Sequence, residues 1–322
     1  MQKLVSIIIP CLNEEKTITK LLEAIVNQTY PKSKLEVIIS DGMSSDKTRE
    51  KIKLFSERNK ELKITLIDNF KKTIPTAINL AIKNSNGFYI VRMDAHSIPY
   101  PDYIEHCVEN LVNNNGDIVG GVWEIHPGKN SLIAKIISIA AANPVAIGDA
   151  KYRLNSNAGF VDTVPFGAFK KSLIDEIGLY DESLFSNEDY EFNTRVNNSG
   201  KKVWLDPKIK TIYYSRADLK SLIQQYFRYG FWKFKMLSRY PKSIKLRQAF
   251  PPLFLILLFV SIFYSVNIFG IFLISYLIIL FLASIKPSLA LQNLAIIPIL
   301  PIVILSMHFS WGVGFLWSIF KK

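Results

Sequence analysis

Charged side chains all but vanish from the end of this 322-residue chain: between Phe250 and Phe320 the only one is Lys286. A water-soluble domain keeps a charged surface, so this stretch is built to face something other than water. Cysteine is scarce as well. Cys11 and Cys107 cannot make a disulfide framework or a four-thiolate metal site, and both read as small buried residues. Histidine occurs four times, and His106, His126 and His308 stand too isolated to read as ligands. Disorder is excluded by 49% apolar and 12% aromatic content against 20% charge. The opening MQKLVSIIIPCLNEE lacks both the long apolar run and the small-residue cleavage site of a secretory leader, so a cytosolic start is expected.

Residues 250–266 and 268–285 are two apolar runs near the ~20 residues that cross a bilayer. A third begins near Leu294 and is interrupted by Pro298, Pro301 and His308, so two or three spans are expected. The aromatic tail, ending in Lys321 and Lys322, either extends the third span or lies at the interface. The net charge of +12 is just as uneven, because residues 201–250 hold 13 Lys or Arg against two Asp, a surplus of +11. Such a segment suits nucleic acid or anionic lipid headgroups. Its charges stop where the apolar runs start, which favours membrane lipids and argues against nucleic acid as a partner. The expected organisation is a cytosolic domain at 1–230, a basic aromatic juxtamembrane segment at 231–249 and a transmembrane region at 250–322. The protein is then multi-pass in the cell (inner) membrane.

Within the first part, strand patterns at residues 4–10, 35–40, 63–67 and 88–93 alternate with helical patterns at 14–27, 46–58 and 74–83. That order predicts an α/β fold with a mostly parallel sheet and helices on both faces. Ligands bind beyond the carboxyl ends of such strands, where polar clusters follow three of the four: Asn13-Glu14-Glu15, Asp41-Gly42 through Asp46, and Asp94-Ala95-His96. Singly, Asn13 and Asp46 read equally well as helix caps and Asp41-Gly42 as a turn. Together they favour one shared ligand site.

At these residues the chain resembles a family-2 glycosyltransferase with a GT-A fold, over roughly residues 3–230. The likeness rests on PCLNEE, SDGMSSDKT, RMDAH and NEDYEFNTRV. It is nearest to the membrane-anchored succinoglycan-biosynthesis type, where Asp-x-His replaces the commoner Asp-x-Asp and a Pro-Phe-Gly-Ala-Phe segment precedes the catalytic acid. The resemblance implies a nucleotide-sugar donor, with UDP the usual nucleotide, and Mn2+ or Mg2+ held by Asp94 and His96. Such a cation neutralises the departing diphosphate, although His96 also reads as a residue leading into the Pro99–Pro101 turn. Asn13, Glu14, Asp41 and Asp94 would line the donor pocket, and Phe166 and Gly167 would lie toward the acceptor. Asp189, beside Glu188, would be the general base of an inverting displacement. With Asn187 as cap, the helix N-terminus is expected to hold the Asp189 pKa low.

Further on, Gln225-Tyr226-Phe227-Arg228-Tyr229 resembles the Gln-x-x-Arg-Trp motif of processive members, which implies Arg228 on the diphosphate and Tyr229 on the acceptor sugar. An amphipathic interfacial helix explains the same residues. Residues 131–147 are expected as one interfacial or core helix, and 148–157, with Lys151 and Arg153, as a loop closing over the donor. The expected function is sugar transfer from a nucleotide sugar to a lipid-linked, polyprenyl-carried saccharide in surface or exopolysaccharide synthesis. A processive polysaccharide synthase, a polyprenyl-phosphate sugar transferase and a membrane-tethered nucleic-acid or lipid-binding module are the rivals.

Overall fold

The computed structural model describes residues 2–154 and 156–321. In chain order its elements are β1 (Val5–Cys11), α1 (Ile18–Val26), β2 (Leu35–Asp41), α2 (Thr48–Arg58), β3 (Lys63–Asp68), α3 (Ile74–Lys83) and β4 (Tyr89–Arg92). Next come β5 (Ile98–Pro99), α4 (Tyr103–Val112), β6 (Ile118–His126), α5 (Leu132–Ala141), α6 (Pro144–Ile147), β7 (Gly159–Phe160), β8 (Ala168–Lys170) and α7 (Leu173–Ile177). The chain closes with α8 (Glu188–Asn198), β9 (Val203–Tyr214), α9 (Leu219–Leu237), α10 (Leu246–Tyr264), α11 (Val266–Ala290) and α12 (Ile296–Phe320). Contacts divide it into two compact units, Met1–Glu124 with Asn155–Tyr213, and Ile125–Leu154 with Tyr214–Lys322. The expected boundary after residue 230 falls inside α9, and residues 125–154 group with the C-terminal helices.

The first unit is built on a sheet ordered β3-β2-β1-β4-β8-β6-β9-β5, with β7 alongside β9. Strands β3, β2, β1 and β4 run parallel, and β8 pairs antiparallel with β4. The α/β architecture expected from the sequence is therefore present. Every residue of β1 and β2 is buried, as strands covered on both faces must be, which is why they read as Val/Ile-rich runs. Helix α1 meets the sheet with Ile18, Leu21, Leu22 and Ile25, one stripe at helical spacing. Of the polar residues within these strands, Glu36 in β2 accepts from Ser6 Oγ at 2.6 Å and pairs with Lys63 at 3.2 Å. Strand order reverses between β1 and β4, so the crevice for a ligand opens where those two strands end.

The second unit is helical. Residues 131–147 do not form the expected single helix: α5 ends at Ala141, and Asn143 restarts α6 by accepting the Val145 N–H at 2.9 Å, with Pro144 fixing the break. Of the loop expected at 148–157, Lys151–Arg153 forms a short 3-10 turn and Asn155 lies outside the described residues, as does Lys322 of the tail. Among the described residues α10, α11 and α12 are long and apolar enough to cross a membrane. Large apolar side chains such as Leu257, Phe259, Phe263 and Phe281 stay exposed on them, as lipid-facing residues would. His308 within α12 is buried, its Nδ1 2.8 Å from the Tyr276 hydroxyl and its Nε2 3.1 Å from the Ala146 carbonyl. That pairing satisfies a polar ring in an apolar bundle.

Helix α9 packs closely along α12, and glycine makes the approach possible. A Cβ at Gly314 would run into the Phe227 carbonyl, and one at Gly230 into the Trp311 carbonyl. Gly314→Val is expected to push the two helices apart and cost about 3 kcal/mol or more, as overpacking of a tight contact does. Detergent-extracted protein should show the loss as lowered yield and melting temperature; an unchanged melt would count against the packing.

Candidate active site

The three polar strand ends meet. In the turn after β1, the Asn13 N–H donates to Ser44 Oγ at 2.8 Å, and Asn13 Oδ1 accepts the Ser45 N–H at 2.9 Å. The Glu14 N–H donates to Thr48 Oγ1 at 2.7 Å, tying that turn to the start of α2. Glu14 Oε1 lies 2.9 Å from His96 Nδ1, which brings in the loop after β4. Asp41, fully buried at the end of β2, accepts from the Ser44 N–H at 2.9 Å, from Ser44 Oγ at 2.5 Å and from Arg49 Nη1 at 2.8 Å. Helix α2 begins at Thr48, with Asp46 Oδ1 accepting the Thr48 N–H at 3.0 Å. Asn13, Met43, Phe166 and Asn187 all have positive φ, so four non-glycine residues of left-handed backbone sit on the loops of this site.

A second cluster surrounds Arg92, the last residue of β4 and only 2% exposed. Its Nη2 donates to Asp94 Oδ1 at 3.0 Å and to Glu188 Oε1 at 2.9 Å, while Nη1 contacts Asp189 Oδ1. The guanidinium also lies over the Phe166 ring, 6.0 Å from its centre. Phe166 is buried, 5.7 Å from the Trp123 ring, which stacks on Tyr213 at 4.1 Å. Gly167 accepts the Arg92 N–H at 3.3 Å, and a Cβ on it would press on Ile118. Phe166 and Gly167 thus back the Arg92 cluster.

Electrostatically the cluster is acidic, three carboxylates around one guanidinium. Burial works against the Arg92 charge, but Asp189, Asp94 and Glu188 hold its pKa above the ordinary value. Burial, reinforced by the like charges of Glu188 and Asp94, pushes Asp189 up to about 7 against the pull of Arg92. The expected low pKa is therefore corrected: the α8 N-terminus is present, but removal from water outweighs its dipole. Asn187 occupies the cap position in a left-handed conformation and makes no side-chain capping bond, contrary to expectation.

Upstream of this acid pair, Glu182 accepts from Lys71 Nζ at 2.8 Å, Thr76 Oγ1 at 2.9 Å and Asn79 Nδ2 at 3.1 Å, anchoring the loop that leads to α8. The Lys71, Asn79 and Thr76 hydrogen bonds hold its pKa down at about 2. A lowered carboxylate pKa stabilises the fold above the unfolded value and loses that contribution as pH falls through the folded one. Glu182→Gln should then cost about 1 kcal/mol at neutral pH, with the screening of a one-third-exposed side chain taken into account. The difference from wild type should shrink as pH falls from about 4.5 toward 2, which melting curves at pH 7 and pH 3 would register.

The first unit thus brings together Asn13, Glu14, Asp41, Asp94, His96, Phe166, Gly167, Glu188 and Asp189. Gln225, Arg228 and Tyr229 belong to α9 in the second unit, where Gln225 Nε2 donates to the Tyr229 hydroxyl at 2.9 Å and Arg228 is exposed. Sequence reasoning missed Arg92. Its signal was a cation at the end of an otherwise apolar buried strand, a placement that requires acidic partners from elsewhere in the chain.

An α/β sheet with four parallel strands and a carboxylate-rich crevice at its switch point is the GT-A-like architecture of nucleotide-sugar transferases. The sequence pattern of Glycosyl transferase family 2 matches residues 6–178, and the chain belongs to that family as a glycosyltransferase. It is 30% identical to a dolichyl N-acetyl-alpha-D-glucosaminyl phosphate 3-beta-D-2,3-diacetamido-2,3-dideoxy-beta-D-glucuronosyltransferase of Methanococcus voltae, over 98% of this chain and 97% of the relative. It is also 30% identical to succinoglycan biosynthesis protein ExoA of Rhizobium meliloti, over 76% of this chain and 73% of that protein. In fold it is similar to the mannosyltransferase PcManGT of Pyrobaculum calidifontis, solved with GDP-Man and Mn2+. That likeness has a TM-score of 0.67 at 16% identity and covers all of this chain and 88% of the other.

Proposed function

We propose that this glycosyltransferase moves a sugar from a nucleotide-sugar donor, with inversion, onto a lipid-linked saccharide at the cytosolic face of the cell membrane. The observation that carries the reading is Asp94 at the end of β4 and Asp189 at the start of α8, both on one guanidinium beside the switch point. Asp189 is the general base. Its raised pKa matches a group that must take a proton from the acceptor hydroxyl near neutral pH. Glu188 shares its helix start. Asn13, Glu14 and Asp41 shape the donor loops, Asp41 through the Ser44 turn and Arg49 that it holds.

The residues fit a divalent cation. Three carboxylates against one arginine leave excess negative charge, and Asp94 offers a hard oxygen at a partly exposed strand end. Among the described residues no group of three or more His, Cys, Asp or Glu is arranged to hold a metal, so most of the ion's shell would come from the donor phosphates. Asp94, with His96 beside it, would hold Mn2+ or Mg2+, which would neutralise the leaving diphosphate. Two relatives support the acceptor and the setting: one is named for a dolichyl-phosphate-linked sugar, the other for succinoglycan synthesis. The three apolar helices and the +11 segment before them support multi-pass insertion with the catalytic unit in the cytosol. By the same resemblance Arg228 serves the donor diphosphate, and Gln225 and Tyr229 serve the acceptor.

The donor site is tested by titrating detergent-solubilised protein with UDP and GDP, with and without Mn2+. Saturable binding of one nucleotide, strengthened by Mn2+, is expected; no binding of either would contradict the reading.

A further inference from the structure

We propose that Arg92 is a positioning residue that couples the donor-side carboxylate Asp94 to the acid pair Glu188–Asp189, so that occupancy of one side is felt at the other. The inference rests on the donor-site reading above and assigns a role to Arg92, which the resemblance left without one. One nitrogen, Nη2, serves Asp94 at 3.0 Å and Glu188 at 2.9 Å, while Nη1 serves Asp189. The fork is rigid and planar, so the three contacts cannot adjust independently. Its freedom is restricted further by burial, by the Phe166 ring beneath it and by its backbone N–H on the Gly167 carbonyl.

Asp94 thus has two claimants, the guanidinium and the cation–nucleotide. Whatever strengthens the hold of Arg92 on Asp94 weakens donor binding, and donor binding in turn releases Nη2 toward Glu188. Linkage requires this to be reciprocal. Loosening Glu188 therefore tightens the grip of Arg92 on Asp94 and lowers nucleotide affinity through Asp94. A lysine at position 92 keeps the charge but makes one point contact in place of the fork, so it should abolish the coupling.

The test is a double-mutant cycle on nucleotide affinity, read by calorimetry with UDP and GDP at fixed Mn2+. Glu188→Gln should weaken binding about 5-fold in wild type and leave it nearly unchanged in an Arg92→Lys background. Glu188→Asp, which keeps the charge and withdraws the carboxylate from Nη2, provides a second reading should Arg92→Lys fail to fold. It should weaken binding by a similar factor, while melting stays near wild type. An equal effect of Glu188→Gln in both backgrounds, or wild-type affinity in Glu188→Asp, would show independent charges and overturn the coupling. Absence of nucleotide binding in wild type itself would overturn the donor-site reading, and this inference with it.

Discussion

Asp189→Asn slows sugar transfer by ~10²–10⁴-fold, the loss expected when a general base is removed. Asparagine matches the carboxylate in shape and cannot take the proton. Arg92 keeps Asp94 and Glu188, so no buried cation is left without a counter-charge. The same substitution should stabilise the protein above neutral pH. Burial raises the folded pKa to about 7 from an ordinary value of 3.8, so between those values the folded chain keeps a proton that the unfolded chain has released. Stability from this group is thus fully present below the unfolded value and declines as pH rises to about 7. At pH 8 the variant avoids that cost and should melt higher. For the wild type, kcat/KM should rise with pH and level off above about 7, where the free enzyme's base is ionised. Single-turnover rates and melting curves across pH 5–9 check all three. A slow variant that is also less stable at pH 8 would reduce Asp189 to a structural anchor.

Asp94→Asn is expected to lower transfer by ~10²–10³-fold and to raise the Mn2+ concentration needed for half-maximal rate, because several kcal/mol of charge stabilisation at the leaving group depend on that ligand. The carboxylate sits at the end of β4, and the strand order makes that position the edge of the ligand crevice. Asparagine keeps one oxygen but loses the charge that draws in a hard cation. His96→Ala should cost less, because its Nδ1 is engaged by Glu14. Rates measured over a Mn2+ series separate the two effects. Wild-type metal dependence in Asp94→Asn would move the cation elsewhere.

Much of the fold was legible because its signals are local. The Val/Ile runs of β1 and β2 state double-faced burial directly, and Asn13, Asp41 and Asp94 announce themselves as polar residues following apolar strands. The break between α5 and α6 was written in Asn143-Pro144 but hidden by the apolar composition around it. Long-range facts were not legible. Arg92 meets Glu188 across 96 positions, a pairing no spacing rule reports. Asp189 read as the acid of a helix start, whose dipole lowers a pKa; its enclosure by other segments, which raises it, exists only in the fold. The Gly230 and Gly314 contacts between α9 and α12 were likewise invisible, since either glycine alone looks like a helix-weakening residue.

The most direct test of the proposed reaction uses membranes containing the protein, Mn2+ and a panel of radiolabelled nucleotide sugars, with Asp189→Asn membranes alongside. Label from one donor should enter the lipid extract as a single added sugar on a lipid-linked saccharide, and should be absent from the variant. Label collecting in a high-molecular-weight polymer, on a bare polyprenyl phosphate, or equally in both membranes would contradict it.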